Sequence, residues 1–123
     1  YNDKESYSTW YHIYDYCLGF IANWGVHHLD IAQWGNGTDG TTPIDVEGKG
    51  EFPKEGIANC CIQWDMEFHY VNGITMIYTD NQGRAKQGVR FEGTKGWVHV
   101  NRQGIDAEPK SLLTSKSARM KFI

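Results

Sequence analysis

Three polar side chains stand at a spacing that could do chemistry on a hydroxyl. His27 and Asp30 lie three residues apart, and Asn23 lies four residues before His27. On a helix, positions three and four apart share one face. A neighbouring carboxylate can hold an imidazole in one orientation and keep it ready to exchange a proton near neutral pH. That is general acid/base chemistry. A histidine on a helix also has an ordinary structural use, so the pattern alone leaves both readings open.

Other residue groups carry less. His27 and His28 are adjacent and point about a quarter-turn apart on a helix. His12, His69 and His99 stand at no recognisable ligand spacing. Cys60 and Cys61 fall on opposite faces of a strand, and no Cys-x-x-Cys pair occurs. No metal site is therefore expected. Gly35, Gly37 and Gly40 match G-x-G-x-x-G letter for letter. A dinucleotide cradle needs a strand before that motif and a helix after it. Here a helix precedes, and a Thr-Thr-Pro loop and a strand follow, so the stretch reads as a glycine-rich turn. Asn36-Gly37-Thr38 is a glycosylation sequon with nothing around it to give it meaning.

The elements that must position these residues follow from periodicity. The run from Gly25 to Trp34 predicts a helix, with Leu29, Ile31, Ala32 and Trp34 as its apolar contacts and Gly35 as its cap. Before it, Trp10 to Ala22 predicts a short helix or an irregular packed segment, interrupted at Gly19. Tyr1 to Trp10 reads as irregular. After the helix the chain turns to strands. Ile44 to Phe52 predicts one. Asn59 to Val71 predicts a second, with Cys60, Ile62, Trp64, Met66, Phe68 and Tyr70 on one face. Cys61, Gln63, Asp65, Glu67 and His69 form the other, polar face, which is either wet or an interface. Asn72-Gly73 predicts a type I′ turn into a partner strand, Ile74 to Thr79. Val89 to Glu92 and Trp97 to Asn101 predict a second hairpin, and Gly104 to Ala107 a last short strand. The tail from Pro109 is basic. Helix first and strands after give an α+β fold: an open, mainly antiparallel sheet with helices packed on one face.

Composition bounds the function classes. The chain has 123 residues, one domain's worth, at 40% hydrophobic and 22% charged, as in ordinary soluble globular domains. A formal net charge of −3 gives no basic footprint for nucleic acid. No apolar run reaches the roughly 18 residues of a membrane helix, so no membrane partner is expected. Three cysteines make no disulfide framework. The chain opens at Tyr1 with nothing resembling a signal peptide, which points to a removed leader or to a piece of something longer.

The run from Asn23 through Trp34 resembles the signature helix of the glucose–fructose oxidoreductase/inositol dehydrogenase/rhizopine-catabolism (Gfo/Idh/MocA) family. That helix carries Asp-x-x-x-His, often with Asp three residues after the His. His27 and Asp30 match the last two positions, and Asn23 stands where the family usually has Asp. Residues 46–53, the long alternating strand with its Asn-Gly turn, and residues 88–102 are also similar to the bacterial branch with an extended C-terminal domain. The resemblance runs from about Trp10 to Leu113.

The resemblance implies that residues 1–123 are a single substrate-binding and oligomerisation domain, like the C-terminal domain of dihydrodipicolinate reductase. The family's N-terminal Rossmann domain, which binds NAD or NADP, and its Glu-Lys-Pro lysine are absent from this chain. It implies hydride transfer between the nicotinamide and a hydroxyl-bearing carbon of a sugar or cyclitol. His27 is implied as acid/base, sharing that task with the lysine, and Asp30 as the residue that orients the imidazole or holds a hydroxyl. Asn23, Trp24 and His28 are implied as substrate-binding, and Trp34 is expected in the core. The chain alone is expected to be inactive and to bind no cofactor. A homo-oligomer through the sheet face is expected. The cytoplasm is the default location, or the periplasm if an export signal lay on the missing segment. Two alternatives stand beside this reading: an NAD-assisted glycosidase of the same family, and a stand-alone carbohydrate-binding module.

Overall fold

A computed structural model describes residues 10–80 and 86–114. They fall into two compact units divided after Lys86. The first nine residues, and the tail beyond residue 114, lie outside the described residues, so the irregular start and most of the basic tail are not placed.

The first unit opens with a 3-10 helix, Trp10–His12, and a series of turns. It continues with helix α1 (Trp24–Asn36) and strands β1 (Asp45–Glu51), β2 (Gln63–His69) and β3 (Thr75–Thr79). These strands form an antiparallel sheet in the order β1-β2-β3. The second unit holds β4 (Val89–Gly93), β5 (Gly96–Asn101) and β6 (Gly104–Glu108), antiparallel in the order β4-β5-β6, then a 3-10 helix, Lys110–Leu113. The fold is α+β with antiparallel open sheets, as the element order implies. The expected single sheet is two three-stranded sheets, each built from strands adjacent in sequence. Among the described residues no helix is long and apolar enough to cross a membrane.

Helix α1 runs past the expected cap. Gly35 lies inside it, and Gly37 ends it at φ 68°. The Gly37 amide donates to the Trp34 carbonyl at 3.1 Å and the Thr38 amide to the Gln33 carbonyl at 3.0 Å. This paired closure places a left-handed residue just after the helix, where glycine has no Cβ to clash. The first hairpin also differs in detail. The Gly73 amide donates to Tyr70 at 3.0 Å, and the Tyr70 amide to Ile74 at 3.0 Å. The loop is therefore Val71-Asn72-Gly73, three residues with Gly73 at φ 80°, not a two-residue type I′ turn. The Asn72 side chain secures it by accepting the Ile74 amide at 3.1 Å. Strand β2 begins later than alternation suggests. The amides of Asn59 and Cys60 are both spent on the His12 carbonyl, at 2.9 and 3.2 Å, so they are lost to the ladder.

Cross-strand register confirms the two faces of β2. Met66 sits between Gly48 and Tyr78, and Glu67 between Glu47 and Ile77. The face bearing Trp64, Met66 and Tyr78 receives α1. The Tyr78 hydroxyl donates to the Ile21 carbonyl at 2.5 Å, and its ring lies 5.5 Å from that of Trp64. Gly25 makes this approach possible: a Cβ there would lie 1.8 Å from the Tyr78 oxygen. At the far end of the helix, the Tyr70 hydroxyl donates to Gln33 at 2.7 Å. Thr38 donates to the same Gln33 oxygen at 2.6 Å.

Candidate functional site

The inner side of α1 is set by Gly25 and Ala32, both buried, with Gln33 bonded to Tyr70. Helical geometry then turns His27, Asp30 and Trp34 outward. His27 and Asp30 are exposed. The Trp24 indole meets the His27 ring edge-on, with centroids 5.8 Å apart at 68°. Asn23 is half-buried where the helix starts. Its side chain makes no capping bond, so its amide is not committed to the helix end. His28 is half-buried a quarter-turn away.

The structure brings together Trp24 and His27. It does not bring together His27 and Asp30, which no hydrogen bond or ion pair joins, although they lie on one side of the helix. Trp34 departs from the expected core position: it is 53% exposed, because the residues that dock on the sheet are Gly25, Ala32 and Gln33. An indole therefore stands near each end of the His27–Asp30 face. Sequence reasoning placed Trp34 inside because apolar type outweighed its spacing. Its position seven residues after His27, on the polar stripe, was the available signal.

The remaining histidines sit in three different settings. His12 is almost wholly buried, 4.9 Å edge-on from the Phe20 ring, and burial lowers its pKa. His99 is buried, with Nε2 3.1 Å from the Gln87 carbonyl. His69 lies on the polar face of the first sheet, close to Glu47 and Glu67. Burial raises the Cys60 thiol, as do the neighbouring Cys17 and Cys61; its sulfur donates to the Cys17 carbonyl at 3.0 Å. Burial also raises Tyr70, and it pushes Tyr78 up to about 12 with a contribution from Cys61.

The glycines at 35, 37 and 40 do not form a phosphate cradle. They lie at the C-terminal end of α1, where carbonyls and the negative end of the helix dipole gather, the wrong polarity for an anion. The described residues do not fit a dinucleotide at this point. What α1 and its first flanking residue offer is an outward surface carrying an imidazole, a carboxylate, a side-chain amide and two flat indoles.

A family model for the C-terminal alpha/beta domain of the Gfo/Idh/MocA oxidoreductases matches residues 1–114. The chain belongs to that family. No curated protein and no solved structure gives a match to it.

Proposed function

We propose that this chain supplies the substrate-binding half of an NAD(P)-dependent oxidoreductase acting on a hydroxyl of a sugar or cyclitol. The observation that carries the reading is the exposed His27 on α1, flanked by Trp24 and Asp30, in a chain of this oxidoreductase family. The nicotinamide, held by another domain, supplies the hydride acceptor. His27 takes the hydroxyl proton on an imidazole nitrogen as the carbon is oxidised, and returns it in reduction. Asp30 makes no bond to His27, so its role is to accept a hydrogen bond from a substrate hydroxyl. The Asn23 amide can both donate to and accept from a hydroxyl. Trp24 offers a flat face to a sugar ring, and His28 borders the same surface. Self-association uses the polar face of the β1-β2-β3 sheet.

The test is made in the enzyme that joins this domain to its nucleotide-binding domain. His27→Ala lowers kcat at least about a hundredfold, the usual worth of a general acid/base, while NAD(P) affinity stays unchanged. Unaltered turnover contradicts the reading. Asn23, in place of the family's acid, favours one other reading, an NAD-assisted glycosidase. Hydrolysis of aryl glycosides without net NADH formation would select it, and steady NADH production from a free sugar would exclude it.

A further inference from the structure

We propose that the polar face of the β1-β2-β3 sheet carries a binding site for a divalent first-row transition ion, formed by Glu47, Glu67 and His69. The sheet register builds the site. Glu47 stands directly opposite Glu67, and His69 lies two residues further along β2 on the same face. His69 Nε2 is 3.9 Å from Glu47 Oε1 and 3.8 Å from Glu67 Oε2, and one ligand atom from each residue lies within 4.8 Å of the others.

Two carboxylates directly opposite each other repel, and the repulsion needs an offset. The rest of the face does little to supply one. Asp45 stands opposite His69, and Lys49 opposite Asp65, leaving acidic groups in excess. The other ring nitrogen of His69, Nδ1, is 3.3 Å from the Thr75 hydroxyl, its register partner on β3. With Nδ1–H donating to that hydroxyl, the Nε2 lone pair faces two carboxylates. Three acceptors then converge on one gap, which is the arrangement a cation completes. The Thr75 hydroxyl can accept from Nδ1–H in the tautomer that ligation through Nε2 needs.

Spacing and donor type narrow the ion. Bonds of about 2.0–2.1 Å at tetrahedral angles put neighbouring ligand atoms roughly 3.3 Å apart. The observed separations exceed that by an amount that small rotations of exposed glutamate side chains remove. One imidazole with two carboxylates suits zinc and its neighbours better than magnesium or calcium, which take oxygen ligands. The ligands come from two hydrogen-bonded strands, so a bound ion clamps β1 to β2. The site lies on the face opposite the one that receives α1, and it does not depend on the role proposed for His27.

The test is calorimetric titration of Zn²⁺ into the metal-stripped 123-residue chain. One saturable site per chain is expected, together with a rise in the thermal unfolding midpoint. His69→Ala and Glu47→Gln each weaken binding by at least about tenfold, the lower bound seen when supporting groups around a metal are removed. Glu47 lies on an exposed edge strand, so its variant keeps the fold and guards against a misfolded histidine variant; circular dichroism checks both. Cys61→Ser retains the site. Absence of saturable binding overturns the proposal. So does zinc binding that survives His69→Ala and Glu47→Gln but is lost in Cys61→Ser, or an equal preference for Ca²⁺.

Discussion

His27 and Asp30 share a side of α1 with no hydrogen bond or ion pair between them, and this changes what the carboxylate is expected to do. An aspartate that oriented the imidazole would act on kcat, because it would set the tautomer in the transition state. An aspartate that holds a substrate hydroxyl acts on binding of ground and transition states alike. In the joined enzyme, Asp30→Asn is therefore expected to raise KM with little change in kcat, measured by steady-state kinetics across a sugar series. A fall in kcat at constant KM would restore the orienting role. His12 gives a prediction of a different kind. Its pKa is lowered from 6.5 by burial, so the unfolded chain binds the proton more tightly than the native one. The stability associated with neutral His12 is fully present above about pH 6.5 and is lost as pH falls from there towards the lowered native value. Denaturant unfolding between pH 7 and pH 5 is expected to show a steep loss of stability, shallower in His12→Phe. An equal slope in both would show that His12 is not the group responsible. That His27 and Asp30 lie on one side of a helix was legible from their spacing. The sequence could not show that His12 is buried, because that follows from the long-range bonds of its carbonyl to Asn59 and Cys60.

At the scale of elements, the sheet holds α1 at two places, Tyr78 under Gly25 and Tyr70 against Gln33. These contacts decide which side of the helix faces outward, and so they set the orientation of His27. Gly25→Ala drives a methyl group into the Tyr78 ring, whose hydroxyl-bearing carbon would be 2.8 Å away. The substitution is expected to lower stability by about 1–3 kcal/mol, despite the better helix propensity of alanine. The denaturant midpoint measures it, and an unchanged or higher midpoint would show that the helix is docked elsewhere. The helix and all six strands were legible from periodicity, glycine positions and turn residues. Three details were not. The helix ended two residues late because Gly37, not Gly35, takes the left-handed conformation. The hairpin closed around three residues, since Asn72 and Gly73 were read as the whole turn. Strand β2 lost its first residues to the His12 carbonyl, a partner that local patterning cannot reveal. For the helix end and for β2 the deciding bond reaches outside the segment whose pattern was read; for the hairpin it lies in the turn itself, between Tyr70 and its neighbours.

Among the described residues, few apolar side chains are buried: Ala32, Cys60, Tyr70 and Ala107. Large apolar groups stand open instead, including Leu18, Phe20, Trp24, Val26 and Trp34, which lead into α1 or lie on it. Others stand open along the rest of the chain, Ile44, Phe52, Val71 and Ile77 among them, and scattered exposed apolar residues are ordinary on a domain surface. Family membership was legible from the Asn23–Trp34 run, whose residue types and spacing resemble the family's signature helix. The substrate was not legible, since one fold serves many reactions and the choice rests on hydroxyl-by-hydroxyl contacts. The most direct test of the role proposed for His27 is single-turnover reduction of NAD(P) by the joined enzyme, with and without His27→Ala, at saturating sugar. The variant is expected still to bind nucleotide but to transfer hydride at least about a hundredfold more slowly. Equal rates in the two proteins would contradict that role.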